Sequence, residues 1–169
     1  QLQKNTPYSA IGNAFQELIR QLLKESETSL EFWRQKILTT LGTNAQLIID
    51  VIPELKNIIG YQPPVEELGG KASQNRLNFF FKKFLSIFCQ EDCPLVIFID
   101  DLQWADLPSL RLIEELMINS ELRSFMIIGA YRDNEITATH PFKATLEKIV
   151  KAEVKIQEIH LQPLQLNHI

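Results

Sequence analysis

At 169 residues, against ~150 per typical domain, the chain is about one domain, and 45% hydrophobic with 22% charged residues is a globular composition. That excludes a disordered, collagen-like or coiled-coil chain. Lys and Arg number 17 against 21 Asp and Glu, a net charge of −4. This argues against an electrostatically driven nucleic-acid binder and leaves a small anionic ligand open.

No apolar run approaches the length of a membrane span, and Gln1-Leu2-Gln3-Lys4-Asn5 does not open a signal peptide. A start without Met reads as an excerpt from a longer protein. Ile11, Ala14, Phe15, Leu18, Ile19, Leu22 and Leu23 form one helical stripe over residues 8–24, with Pro7 just ahead. A second helix covers Leu30 to Leu41 and ends at Gly42; residues 44–59 give short helices broken at Pro53. Gly60 to Gly70, with Pro63-Pro64 inside, reads as a loop. Leu77, Phe80, Phe81, Phe84, Leu85 and Phe88 then mark a buried helix face, with Lys82 and Lys83 turned away. Cys89 and Cys93 are four apart with no second pair, so they read as reduced bystanders in a cytoplasmic protein rather than a redox or zinc motif.

The texture changes at Pro94. Leu95-Val96-Ile97-Phe98-Ile99 reads as a strand buried on both faces. Asp106 is a good N-cap and Pro108 a good first-turn residue for a helix over Leu107 to Met117. Residues 125–130 give a second buried strand, 142–152 a helix, and Val154 to Leu161 a third strand. Strand–helix–strand alternation means a parallel sheet and an α/β fold. The expected division is a mainly helical part over 8–90 and a sheet part over 94–161. About three strands make a narrow sheet, and further strands are expected ahead of Gln1.

The chemistry sits where the first strand ends. Asp100-Asp101 places two carboxylates at the carboxyl end of a strand, the edge where open parallel sheets bind ligands. Adjacent carboxylates repel unless a cation or donors compensate. Asp100 is thus a candidate magnesium ligand, through water, and Asp101 a candidate for orienting or deprotonating a water that attacks phosphate. The next strand ends at Tyr131-Arg132 on the same edge, so Arg132 should lie near the pair and is a candidate γ-phosphate contact. Its bland alternative is an ion pair with Asp133 or Glu135. Trp104 reads as a packing anchor.

Ile97-Phe98-Ile99-Asp100-Asp101-Leu102-Gln103-Trp104-Ala105-Asp106 resembles the Walker B region of STAND-type signalling ATPases, P-loop NTPases close to the AAA+ and origin-recognition-like ATPases. Gly129-Ala130-Tyr131-Arg132-Asp133-Asn134-Glu135 is similar to their sensor 1 strand. Asn5-Thr6-Pro7-Tyr8-Ser9-Ala10-Ile11 and Ala72-Ser73-Gln74-Asn75-Arg76-Leu77 look like further segments of the group. The resemblance covers nearly all of residues 1–169. It implies a partial P-loop NTPase core with a large helical insertion, ATP and Mg2+ as ligands, and a regulatory switch in a multidomain bacterial protein carrying a Ser/Thr kinase. It assigns magnesium to Asp100, water activation to Asp101 and phosphate sensing to Arg132. Expected partners are ATP, other domains of the same polypeptide and a possible second copy, with no membrane or nucleic acid.

One departure stands out. A phosphate loop reads GxxxxGK followed by Ser or Thr, between a strand and a helix. The one Gly-Lys here, Gly70-Lys71, is followed by Ala72, with Val65 where the first glycine belongs and no strand before it. It reads as a turn, and the loop is expected upstream of Gln1. A receiver-domain reading fails because the next strand ends in Tyr131-Arg132, with no phosphoacceptor aspartate. The remaining alternative is a non-catalytic α/β scaffold or protein-interaction module with a degenerate nucleotide site.

Overall fold

The computed structural model describes residues 7–118 and 122–162. Helix α1 (Ser9–Leu22) buries Ile11, Phe15, Ile19 and Leu22, the expected stripe. Helix α2 (Glu27–Leu41) begins one turn earlier than the apolar spacing suggests, because Ser26 Oγ accepts from the Ser29 N–H at 3.3 Å and caps it. It ends at Gly42, whose φ of 53° continues the chain out of the helix. Helices α3 (Ala45–Val51) and α4 (Lys56–Ile59) flank a 3-10 turn that starts at Pro53. Residues 60–69 are irregular, and α5 (Gly70–Ser86) follows.

The phenylalanine stripe of α5 is core. Phe81 meets Phe15 edge-on at 5.4 Å, and Phe84 leads to Phe88, which stacks on Trp33 at 5.2 Å. Phe15, Phe81 and Phe84 are almost wholly buried, each worth about 1.5–3 kcal/mol relative to exposure. Lys82 does not face away: its Nζ lies 3.4 Å from Glu115 on α6 (Leu107–Ile118). Lys83 covers the Phe79 ring at 4.8 Å.

Strands β1 (Leu95–Ile99) and β2 (Phe125–Gly129) pair in parallel, Leu95 opposite Phe125 through Ile99 opposite Gly129. Helix α7 (Pro141–Lys151) packs on α6. Two sequence expectations are corrected here. The strands are not buried on both faces: Ile97 and Ile99 point into the core near α1, while Val96, Phe98, Met126 and Ile128 are exposed on the opposite face. An unbroken apolar run reports strand character but not what covers each face. Residues 154–161 form no strand, and the sheet among the described residues has two strands rather than three. That segment lies beside neither β1 nor β2 as a paired neighbour, so its apolar residues have no ladder to join. Cys89 and Cys93 are free thiols, and no described helix is long and apolar enough to cross a membrane.

Candidate functional site

The site is built where the β1–β2 ladder ends. Ala130 N–H donates to Ile99 O at 2.9 Å, continuing the register. Regular parallel pairing would next take the Asp101 N–H to Ala130 O. Instead the Asp101 N–H goes to Asp100 Oδ1 at 2.8 Å, and Leu102 N–H reaches Ala130 O at 3.0 Å. One residue is bulged out, and Asp101 takes the left-handed conformation, φ 53° and ψ 43°. Aspartate is among the few non-glycine types that tolerate it. The chain then enters a 3-10 turn over Leu102–Trp104, whose Trp104 N–H occupies the Asp101 carbonyl at 2.8 Å.

This bend gathers the expected residues from two strand ends. Asp101 Oδ1 lies 3.6 Å from Arg132 Nη2, as their shared edge requires. Arg132 also pairs with Glu135 at 3.0 Å, so the local ion pair and the cross-strand one coexist. Its guanidinium sits 5.2 Å from the Trp104 ring centroid. Trp104 is not a buried anchor: it is 64% exposed and serves as a platform for Arg132. Asp100 is exposed, with one carboxylate oxygen on the Asp101 N–H.

Two residues of the same segment do work that the sequence reading passed over. Gln103 is 5% exposed; its Nε2 donates to Asp101 Oδ1 at 2.8 Å and its Oε1 accepts from the Arg132 N–H at 3.2 Å. A lone glutamine in a loop carries no sequence signal for this. Asp106 does more than cap α6. Its carboxylate accepts from the N–H and hydroxyl of Ser109 at 2.9 and 2.7 Å, from the Tyr8 N–H at 2.9 Å, and from the N–H and hydroxyl of Ser9 at 3.1 and 3.2 Å. One side chain thus ties the starts of α1 and α6 together. Burial alone raises its pKa, but the hydrogen bonds from Ser109, Tyr8 and Ser9 outweigh burial and hold the carboxyl below its ordinary value.

The donor set suits a magnesium–phosphate edge: an exposed carboxylate for a hydrated hard cation and a forked cation for phosphate oxygens. Among the described residues no group of three or more His, Cys, Asp or Glu is arranged to hold a metal by itself. Gly70-Lys71 opens α5 directly from the irregular stretch 60–69. A cavity of about 380 Å³ lies elsewhere, beside α3 and α5, and includes none of these residues.

A family model described as AAA ATPase domain matches residues 1–128. The chain is 46% identical over 112 residues, 66% of its length, to hybrid signal transduction histidine kinase G of Dictyostelium discoideum. It is 26% identical over 125 residues, 65% of its length, to histidine protein kinase 1 of Candida albicans. The matched region spans 3% and 5% of those relatives. No solved structure matches the chain.

Proposed function

The chain belongs to the AAA ATPase domain family, and from that premise we propose that it is part of an ATP-binding and hydrolysing regulatory switch in a multidomain signalling protein. Bound ATP with magnesium supplies the scissile phosphoryl group and a divalent charge at the sheet edge. Asp100 holds the cation through water. Asp101 orients the attacking water and accepts its proton. Arg132 gives its fork to the γ-phosphate and so registers whether that phosphate is present. The phosphate loop of the STAND-type arrangement is carried by the longer polypeptide.

The observation that carries this reading is the 3.6 Å approach of Arg132 to Asp101 at the carboxyl edge of a parallel sheet. Alone, two opposite charges at a surface are worth little; next to an exposed second carboxylate they make an edge that a magnesium-bound phosphate fits. The output is a kinase on the same polypeptide. The Ser/Thr kinase implied by the motif resemblance is one form; a histidine kinase is the second, favoured by the names of both relatives.

The test is calorimetric titration of ATP–Mg into the 169-residue chain and into the chain extended upstream through any GxxxxGK-Ser/Thr. Binding in the extended form, with slow phosphate release, upholds the switch. Binding in neither leaves the α/β scaffold as the reading.

A further inference from the structure

Gln103 occupies a place that the ladder geometry makes unusual. Continuing the β1–β2 register, the Arg132 N–H would donate to the Asp101 carbonyl. That carbonyl has turned with the left-handed Asp101 into the 3-10 segment, where it accepts from the Trp104 N–H. The acceptor that Arg132 finds instead is Gln103 Oε1, at 3.2 Å. A side-chain amide thus stands in for a lost rung of the sheet. The other end of the same amide donates to Asp101 Oδ1 at 2.8 Å.

An amide has an acceptor and a donor end in one rigid plane. Seated at 5% exposure, Gln103 has little rotational freedom, and turning its amide over would face donor to donor at Arg132. So the Asp101 carboxylate and the Arg132 main chain are held at one separation by a single planar group. The ion pair between them is half exposed and on flexible arms; it cannot set that separation by itself.

We propose that Gln103 is the positioning residue of this site. It fixes where Asp101 and the root of Arg132 meet an anionic ligand, and so governs turnover rather than affinity. The inference rests on the nucleotide reading above for what the ligand is, but not for the bonding.

The experiment uses the protein at its full natural length, as wild type, Gln103→Met and Gln103→Glu. Two readouts are taken: exchange of the Arg132 backbone amide without nucleotide, and kcat and KM for ATP–Mg. Gln103→Met keeps the volume and loses both bonds. It is expected to raise Arg132 exchange at least tenfold and lower kcat at least tenfold, with KM within about twofold. Gln103→Glu keeps the acceptor and loses the donor. It is expected to retain Arg132 protection while kcat still falls, a split that general loosening of the loop would not produce. If Gln103→Met does not fold, Gln103→Glu and Gln103→Asn, which is one methylene short of both partners, decide by the same split. Unchanged Arg132 exchange in Gln103→Met, or raised exchange with unchanged kcat, overturns the proposal. If the wild type neither binds nor hydrolyses ATP–Mg, the nucleotide reading has failed. The exchange readout, which needs no nucleotide, then still decides whether Gln103 holds the root of Arg132, and unchanged exchange in Gln103→Met overturns that.

Discussion

Asp101 combines a backbone role with a proposed chemical one, and the two separate by substitution. Asparagine tolerates the left-handed bend and keeps an oxygen for Gln103, but it carries no charge and takes no proton. Asp101→Asn is therefore expected to fold normally, to bind ATP–Mg within a few-fold of wild type, and to lose turnover by about 100-fold or more. Phosphate release set against calorimetry checks it; undiminished release removes Asp101 from the chemistry. Asp106 is the structural counterpart. Asp106→Ala leaves the starts of two helices without their acceptor, and is expected to cost about 2–3 kcal/mol in urea unfolding. Its folded pKa lies below its ordinary value of 3.8. Its stabilisation is therefore complete above that value and lost as pH falls through the folded pKa. Asp106→Asn should accordingly flatten the acid limb of the stability profile below about pH 4. An unchanged acid limb would show that other carboxylates dominate it.

At the scale of elements, close approach decides what propensity does not. Gly12 lies inside α1, where alanine ordinarily stabilises by about 1 kcal/mol. A Cβ there would lie 2.6 Å from the Val51 carbonyl oxygen on α3. That backbone cannot swing aside, so Gly12→Ala is expected to destabilise by about 1–2 kcal/mol net, read as a lowered midpoint of unfolding. A raised midpoint would mean that α1 and α3 are farther apart than described. Gly129 is a softer case, since a Cβ meets only the Leu102 side chain. The same distinction governs how well elements were legible. α1 and α5 followed from 3.6-residue spacing because each has one buried stripe. The stretch 154–161 did not, because a strand exists only by pairing and pairing is not a property of the segment.

Across the molecule, one face of the sheet is packed and the other is not, among the described residues. Val96, Phe98, Met126 and Ile128 form an exposed apolar group on paired strands, Val96 opposite Met126 and Phe98 opposite Ile128. Such a patch on an isolated chain promotes association. The 169-residue chain is expected to bind a hydrophobic dye while folded. Phe98→Ser with Met126→Ser should reduce that binding with little change in the midpoint of unfolding, because neither side chain is in the core. Unaltered dye binding in the double variant would place the apolar surface elsewhere, for example at Phe32 on α2.

The sequence by itself determined the α/β class, the helix stripes, the parallel strand pair, the cap at Asp106, and the meeting of Asp101 with Arg132. Each is a matter of local periodicity, of a backbone rule, or of strand ends sharing an edge. Only the tertiary structure decided that Trp104 lies open beneath Arg132, that Gln103 replaces a rung of the ladder, that Asp106 reaches back to Tyr8 and Ser9, and that one sheet face stays bare. Those depend on which distant groups arrive beside a residue, and an amide or an indole has the same spacing in a sequence whether its partner comes or not.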